Sequence, residues 1–180
     1  MAAIESALVV LVPEAEVIVK PFRNKYDHSA VNGCPAHVGV LYPFKRPDEI
    51  TKTDYDNLSR CVAPFKPCHF SLAVTRRFPG VLYFAPKPDG PFRRLTFAIW
   101  DCYPETPPYG GRYPDVVPHL TVANQLAEDQ LDGITAELNE ASEGRLPIAA
   151  VASEIALLDT RSGRWQVRAM LKLGGSLRSA

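Results

Sequence analysis

Neither sign of charge prevails in this sequence: 20 Lys and Arg stand against 20 Asp and Glu, a formal net charge of zero. Proteins that bind duplex DNA draw much of their affinity from phosphate contacts and usually carry a basic excess. Duplex DNA is therefore not an expected partner, and any nucleic-acid ligand should be small or held by a local site. Long apolar runs are missing too. The stretch from Ala7 to Val12 is too short to cross a bilayer, and no Lys or Arg precedes it, the first being Lys20. It reads as a buried strand, with neither membrane span nor signal peptide expected. Cysteines are few, and Cys34, Cys61, Cys68 and Cys102 form no CxxC pair and no zinc-like spacing. Cys68 lies beside His69, but no second metal pair accompanies it. The expectation is buried or half-buried free thiols in a cytoplasmic protein. No GxGxxG, P-loop or GxSxG occurs. Acidic residues fall mainly on helix faces and in loops, so no metal site and no cofactor are expected.

What the sequence has in quantity is proline and apolar residues. With 46% hydrophobic residues in 180, the chain has enough material for a real core, and residues 1–180 are expected to form a single domain without a separate linker, as a monomer. Seventeen prolines point to many short elements with sharp ends. Periodicity predicts strands at Leu8–Val12, Ala36–Tyr42, His69–Thr75, Val81–Ala85 and His119–Ala123. It predicts helices at Glu14–Tyr26, Thr53–Val62, Pro91–Cys102 and Ala127–Ala141. Pro21 should kink the first helix or delay its start. Thr53-x-x-Asp56 resembles a capping box for the second. Tyr103 to Pro118 is a long loop rich in Pro, Gly and Tyr, of the kind that is often functional. Ile148–Leu158 and Trp165–Leu173 should close the chain as a hairpin about Ser162-Gly163.

An internal echo organises these elements. Each half runs through a strand carrying a histidine, a helix and a hairpin, with Thr75-Arg76 and Thr160-Arg161 at similar distances after His37 and His119. The expected class is α+β, with two pseudo-symmetric antiparallel-sheet lobes and flanking helices around a central cleft.

The residues that carry chemistry sit in two short segments, Pro35-Ala-His37-Val-Gly39-Val40 and Pro118-His119-Leu-Thr121-Val122. Alternation along a strand puts His37 with Gly39 on one face, and His119 with Thr121 on another. A lone histidine is usually structural. Two in matching contexts of a repeat favour proton transfer, for which imidazole is suited near neutral pH. These segments resemble the paired His-x-Thr/Ser motifs of the two-histidine phosphoesterases, which include the 2′-5′ RNA ligase-like proteins and cyclic phosphodiesterases. Ala36 to Phe44, Val117 to Ala123 and Val81 to Pro86 are similar to the bacterial ligase-like branch. The resemblance implies a bilobal fold and metal-independent chemistry on a small nucleotide or RNA end bearing a cyclic or 2′-linked phosphate. It also implies that His37 and His119 are catalytic, that Thr121 holds a phosphate oxygen, and that 2′-5′ ligation accompanies hydrolysis in some relatives.

Gly39 departs from the pattern, standing where the family carries Thr or Ser. Loss of such a charge-assisted hydrogen bond, about 1.5–3 kcal/mol, slows a reaction roughly tenfold to a hundredfold. Gly39 either offers its backbone N–H, admits a bulkier substrate or water, or marks a nucleotide- or phosphate-binding module with weak or lost turnover. A specialised enzyme for a non-nucleotide cyclic phosphate is a third reading. The working mechanism takes His119 as base and His37 as acid, with the reverse left open. For base stacking, Tyr42 is the first candidate, with Tyr83, Phe44, Tyr113 and Trp165 behind it. Arg112 in the long loop is a weaker phosphate contact, more simply a solvated side chain.

Overall fold

The structure is a computed structural model and describes residues 4–175. In chain order the strands are β1 (Ser6–Leu11), β2 (His37–Leu41), β3 (Cys68–Phe78), β4 (Val81–Lys87), β5 (Leu120–Ala123), β6 (Ile148–Ala152), β7 (Glu154–Asp159) and β8 (Gln166–Lys172). The helices are α1 (Glu16–Tyr26), the single turn α2 (His28–Val31), α3 (Lys52–Val62), α4 (Gly90–Cys102) and α5 (Glu128–Ser142). The strands form two four-stranded antiparallel sheets, ordered β2-β1-β7-β8 and β5-β4-β3-β6.

The matching units of the repeat are β1-α1-β2 and β4-α4-β5. In each, two neighbouring antiparallel strands are joined through a helix, and the strand that begins at or just after the histidine forms the sheet edge. The helices cross over. α1, from the first unit, packs on β5, and α4, from the second, packs on β2. A hydrogen bond fixes each crossing: the Thr96 hydroxyl donates to Val40 O at 2.7 Å, and Asn124 N donates to Tyr26 O at 2.8 Å. The halves therefore interlock, and β2 and β5 come to lie near each other.

Several expectations need correction. Ile148–Leu158 is not one strand of a hairpin. It breaks at Ser153: β6 pairs with β3 in the second sheet, while β7 lies between β1 and β8 in the first. The side chains explain the split. Ile148 to Ala152 alternate buried and exposed, as at a sheet edge, whereas Ile155 to Asp159 are all buried, as in a sheet centre. The hairpin after His37's helix, β3-β4, belongs to the second sheet, and the hairpin that closes the chain belongs to the first. The halves of the sequence are thus not the two sheets. Pro21 does not delay α1, which starts at Glu16 and runs through it. It lies on the exposed side beside exposed Val17, so water can serve the carbonyl that its missing N–H leaves free.

The capping box of α3 is Thr51 with Asp54, two residues earlier than the Thr53-Asp56 pair. Lys45 Nζ also reaches Asp54, at 2.7 Å. Burial pushes the Asp54 carboxyl up, but Lys45 and Thr51 outweigh it and hold it below the usual carboxylate range. Cys61 and Cys102 form a disulfide joining α3 to α4, against the expectation of free thiols, while Cys34 and Cys68 are free. Spacing alone gives no sign of a pair 41 residues apart.

One apolar cluster runs through both sheets and their helices, from Leu8 and Val38 through Phe84 and Phe92 to Leu120 and Leu157. A second, smaller one, formed by Ala7, Val9, Cys34, Ala156 and Leu158, lies on the opposite face of the first sheet and is flanked by Tyr42 and Trp165.

Thr96→Val should cost about 1–3 kcal/mol in urea unfolding, because the buried Val40 carbonyl loses its side-chain donor; an unchanged midpoint would show the crossing bond to be dispensable. Reducing the Cys61–Cys102 bridge should lower the unfolding free energy by about 4 kcal/mol, the loop-closure entropy for a span of this length. Coincident urea curves with and without dithiothreitol would contradict that.

Candidate active site

Both histidines stand where an edge strand begins, and both rings are held in the same way. His37 Nδ1 lies 2.7 Å from Pro35 O, and His119 Nδ1 lies 2.7 Å from Val117 O. A carbonyl can only accept, so each Nδ1 carries the hydrogen, and each neutral ring keeps its free lone pair on Nε2. The segment before His37 is itself pinned. Ala36 N donates to a Glu16 carboxylate oxygen at 2.7 Å, and Val12 N donates to Ala36 O at 2.9 Å. Cys34 Sγ sits 3.4 Å from His37 Nδ1, and burial pushes its thiol up to about 11, so it stays a thiol there.

Electrostatics separate the two rings. Burial pushes His37 down, and the positive charges of Arg23 and of His119 push it further, to about 4. Arg23 is itself buried and bonded to Asp27 at 3.0 Å. Burial also lowers His119, opposed by its bond to Val117 O. His119 has no such cationic neighbour among the causes of its shift, so the field of Arg23 distinguishes the surroundings of the two rings.

Aromatic rings surround His119. Tyr83 meets it edge-on at 5.4 Å and Phe78 at 5.3 Å, while Tyr109 lies nearly parallel at 6.3 Å. Tyr83 pairs with Thr121 across β4 and β5, which puts Thr121 and His119 on the Tyr83 face. Tyr83 is buried and stacked on Phe78 at 4.4 Å, so it backs the imidazole and leaves no free face of its own. Arg76 pairs with Tyr83 across β3 and β4 and lies exposed on that same face, whereas its neighbour Arg77 turns away to Asp132. Tyr42, half-buried, lies between Tyr109 and Trp165, edge-on to both at 6.4 Å. Phe44 is core. Arg112 and Tyr113 are exposed, and Tyr113 touches the site only through Tyr109.

Gly39 opens on a space of about 20 Å³, room for about one water, bordered by Tyr42, Tyr109, Val117 and Pro118. A larger cavity of about 540 Å³ lies behind His37, beyond Pro35, where Lys20, Arg23 and Arg164 face Glu16. The smaller space lies between β2 and the residues just before His119, and neither histidine lines either space. Among the described residues, no three His, Cys, Asp or Glu side chains are grouped to hold a metal ion, and no helix is long and apolar enough to cross a membrane.

Sequence reasoning does not reach Tyr109, Phe78 or Arg76 as members of the site. The long loop reads as functional, but nothing in its sequence singles out Tyr109. Arg76 stands out only as part of the repeat, although alternation from Tyr83 through the hairpin places it on the His119 face.

Comparison with known proteins places this geometry. The chain is similar in structure to E. coli LigT complexed with 3′-AMP, with a TM-score of 0.60 at 12% identity over 95% of this chain and 98% of that one. It is similar to TT0787 of Thermus thermophilus, with a TM-score of 0.60 at 17% identity over 96% and 99%. It also resembles E. coli LigT complexed with NADP+, with a TM-score of 0.58 at 14% identity over 97% and 100%. At such identities these likenesses establish the fold. No curated protein sequence matches. The family model of the 2′-5′ RNA ligase superfamily matches residues 11–164, which include both histidine motifs and most of the chain. The chain belongs to the 2′-5′ RNA ligase superfamily.

Proposed function

We propose that this protein is a metal-independent phosphodiesterase that opens 2′,3′-cyclic or 2′-linked phosphates on small nucleotides or RNA ends, with His37 and His119 as its acid–base pair. The observation that carries the reading is the twin clamp: two imidazoles, each with Nδ1 committed to a carbonyl two residues back, each with Nε2 free to exchange a proton. Chance placement of structural histidines does not produce that identity. 2′-5′ ligation is the same displacement at a cyclic phosphate with a 5′-hydroxyl in place of water, and uses the same groups.

We assign the roles from the field of Arg23, which disfavours a proton on His37, and this choice is the reverse of the working mechanism. His37, held down to about 4, is neutral and serves as the base that takes a proton from the attacking water. His119 is the acid that gives a proton to the departing ribose oxygen, while Thr121 steadies a phosphate oxygen. An arriving phosphodiester anion favours the charged imidazole, so substrate binding draws in the proton the acid needs. Tyr42 and Trp165 offer edges for a nucleobase near the His37 strand. The protein acts as a monomer in this reading. A cytoplasmic setting would keep Cys61 and Cys102 reduced.

The second reading is a nucleotide- or phosphate-binding module with weak or lost turnover. It is favoured by the missing hydroxyl at Gly39 and by burial that keeps both rings neutral at pH 7 in the free protein.

Turnover decides between them. Incubated with 2′,3′-cyclic nucleotides in EDTA, the wild type should give a single nucleoside monophosphate, and His37→Ala and His119→Ala should each lose at least a hundredfold in rate, roughly the lower bound for removing a general acid or base. Binding without turnover would establish the second reading. The pH dependence of kcat/KM tests the need for one neutral and one protonated histidine. The base must be unprotonated, so activity rises with pH through about 4, the His37 value. The acid must be protonated, so activity falls as pH rises through a His119 value that lies below the ordinary 6.5. The expected bell is centred on the acid side of neutrality; a flat profile from pH 5 to 8 would rule out the assignment.

A further inference from the structure

The repeat makes Gly39 and Thr121 equivalent positions, each two residues after its histidine and on the same strand face as that histidine. Thr121 brings a hydroxyl to the site. Gly39 brings nothing, yet a hydroxyl stands beside it: a Cβ built on Gly39 would lie 3.8 Å from the Tyr109 phenol oxygen. The same ring lies nearly parallel to His119, at 22° and 6.3 Å. Tyr109 therefore bridges the two motifs, with its face on one histidine and its hydroxyl over the partner strand.

Its backbone is held there against preference. Tyr109 has φ 53° and ψ 31°, the left-handed region that an ordinary side chain avoids at a cost of roughly 1–2 kcal/mol. Gly110 and Gly111 continue in that region at φ 63° and 73°. Tyr109 N donates to Tyr42 O at 2.6 Å, which ties the loop to the end of the His37 strand. A strained residue over-determined by its surroundings points to a role for the side chain it presents.

From this geometry we infer that the Tyr109 hydroxyl is the second phosphate-oxygen donor of the site, filling from the α4–β5 loop the place that Gly39 leaves open. The inference rests on the phosphodiesterase reading for its substrate class, but the group it concerns is any phosphate seated between the two histidines. Burial pushes the phenol up to about 12, aided by Tyr113, so it stays protonated and able to donate across the working range. The two solutions occupy neighbouring space. A Cβ at position 39 would make an ordinary contact with the phenol oxygen, so a side-chain hydroxyl at 39 would stand beside the one at 109.

Two measurements on Tyr109→Phe, Gly39→Thr and the double variant, each first checked for wild-type thermal unfolding, test this. One is the rate of 2′,3′-cyclic AMP hydrolysis; the other is affinity for inorganic phosphate by calorimetry. Tyr109→Phe should lose about tenfold to a hundredfold in kcat/KM, the loss expected for one charge-assisted hydrogen bond, and several-fold in phosphate affinity. Adding Gly39→Thr to Tyr109→Phe should recover most of both, whereas Gly39→Thr alone should not exceed wild type. Wild-type behaviour of Tyr109→Phe in both measurements would overturn the inference while leaving the phosphodiesterase reading intact. So would a rate gain in Tyr109→Ala, which would make Tyr109 a plug. A wild type that binds phosphate through Tyr109 without turning over the cyclic nucleotide would defeat the enzymatic reading and keep the donor. A wild type with neither phosphate binding nor turnover would end both.

Discussion

Each imidazole is committed through Nδ1 to a main-chain carbonyl two residues earlier, and the site's chemistry starts from that bond. It fixes the tautomer, the tilt of the ring and the nitrogen that can exchange protons. It also constrains the fold. The carbonyl must belong to the loop residues just before the strand, with an oxygen unclaimed by a neighbouring strand. Both histidines meet that condition because β2 and β5 are edge strands. A histidine in the centre of either sheet would find the nearby carbonyls taken up in the ladder. The crossed helices then bring the two edges near each other: α4 is fastened to β2 through Thr96, and α1 to β5 through Asn124.

The same enclosure sets the proton balance. Burial disfavours charge on both rings, yet the reaction requires one of them to be charged. The asymmetry that resolves this lies outside the repeat, in the buried Arg23–Asp27 pair beside the first motif. Arg23 lowers the proton affinity of His37 and Asp27 opposes it, and neither is among the causes of the His119 shift. Two equivalent positions in the scaffold thus sit in different fields. An empty site that is neutral at both histidines suits an anionic ligand, since the anion itself supplies the field that raises the acid's proton affinity.

How far the sequence can be read follows from which forces act locally. Strand and helix positions along the chain are legible because burial imposes its period on short segments, as in Ala36–Tyr42 and Pro91–Cys102. The repeat is legible as an order of elements. Its partition into sheets is not, because nothing local to Ser153 announces that the chain leaves one sheet for another. Only the change from alternating to continuous burial across that residue marks it. The capping box goes to Thr51, where the helix begins, and Lys45 also engages its Asp54. The Cys61–Cys102 bond is hidden because helix pairing, not spacing, brings the two residues together. At the site, the strand-borne groups His37, Gly39, His119 and Thr121 can be named from alternation, and Tyr83 can be named but not recognised as buried. Tyr109 cannot be found, since its position depends on a left-handed backbone and a loop docked on Tyr42.

That loop extends the logic of the interlocked helices. Helix α4 leaves the second sheet to cover β2, and the segment that follows it stays with β2 long enough for Tyr109 to bond Tyr42 before the chain returns to form β5. One half of the molecule therefore furnishes both the cover and the loop side chain that stand over the other half's histidine-bearing strand. A duplicated scaffold built this way need not keep its two motifs identical. A strand position can lose its side chain, as at Gly39, when the opposing half already holds a polar group over it. The converse case is Thr121, which faces Tyr83 across the β-ladder. There the partner strand supplies a buried ring stacked on Phe78, and the strand's own hydroxyl is retained.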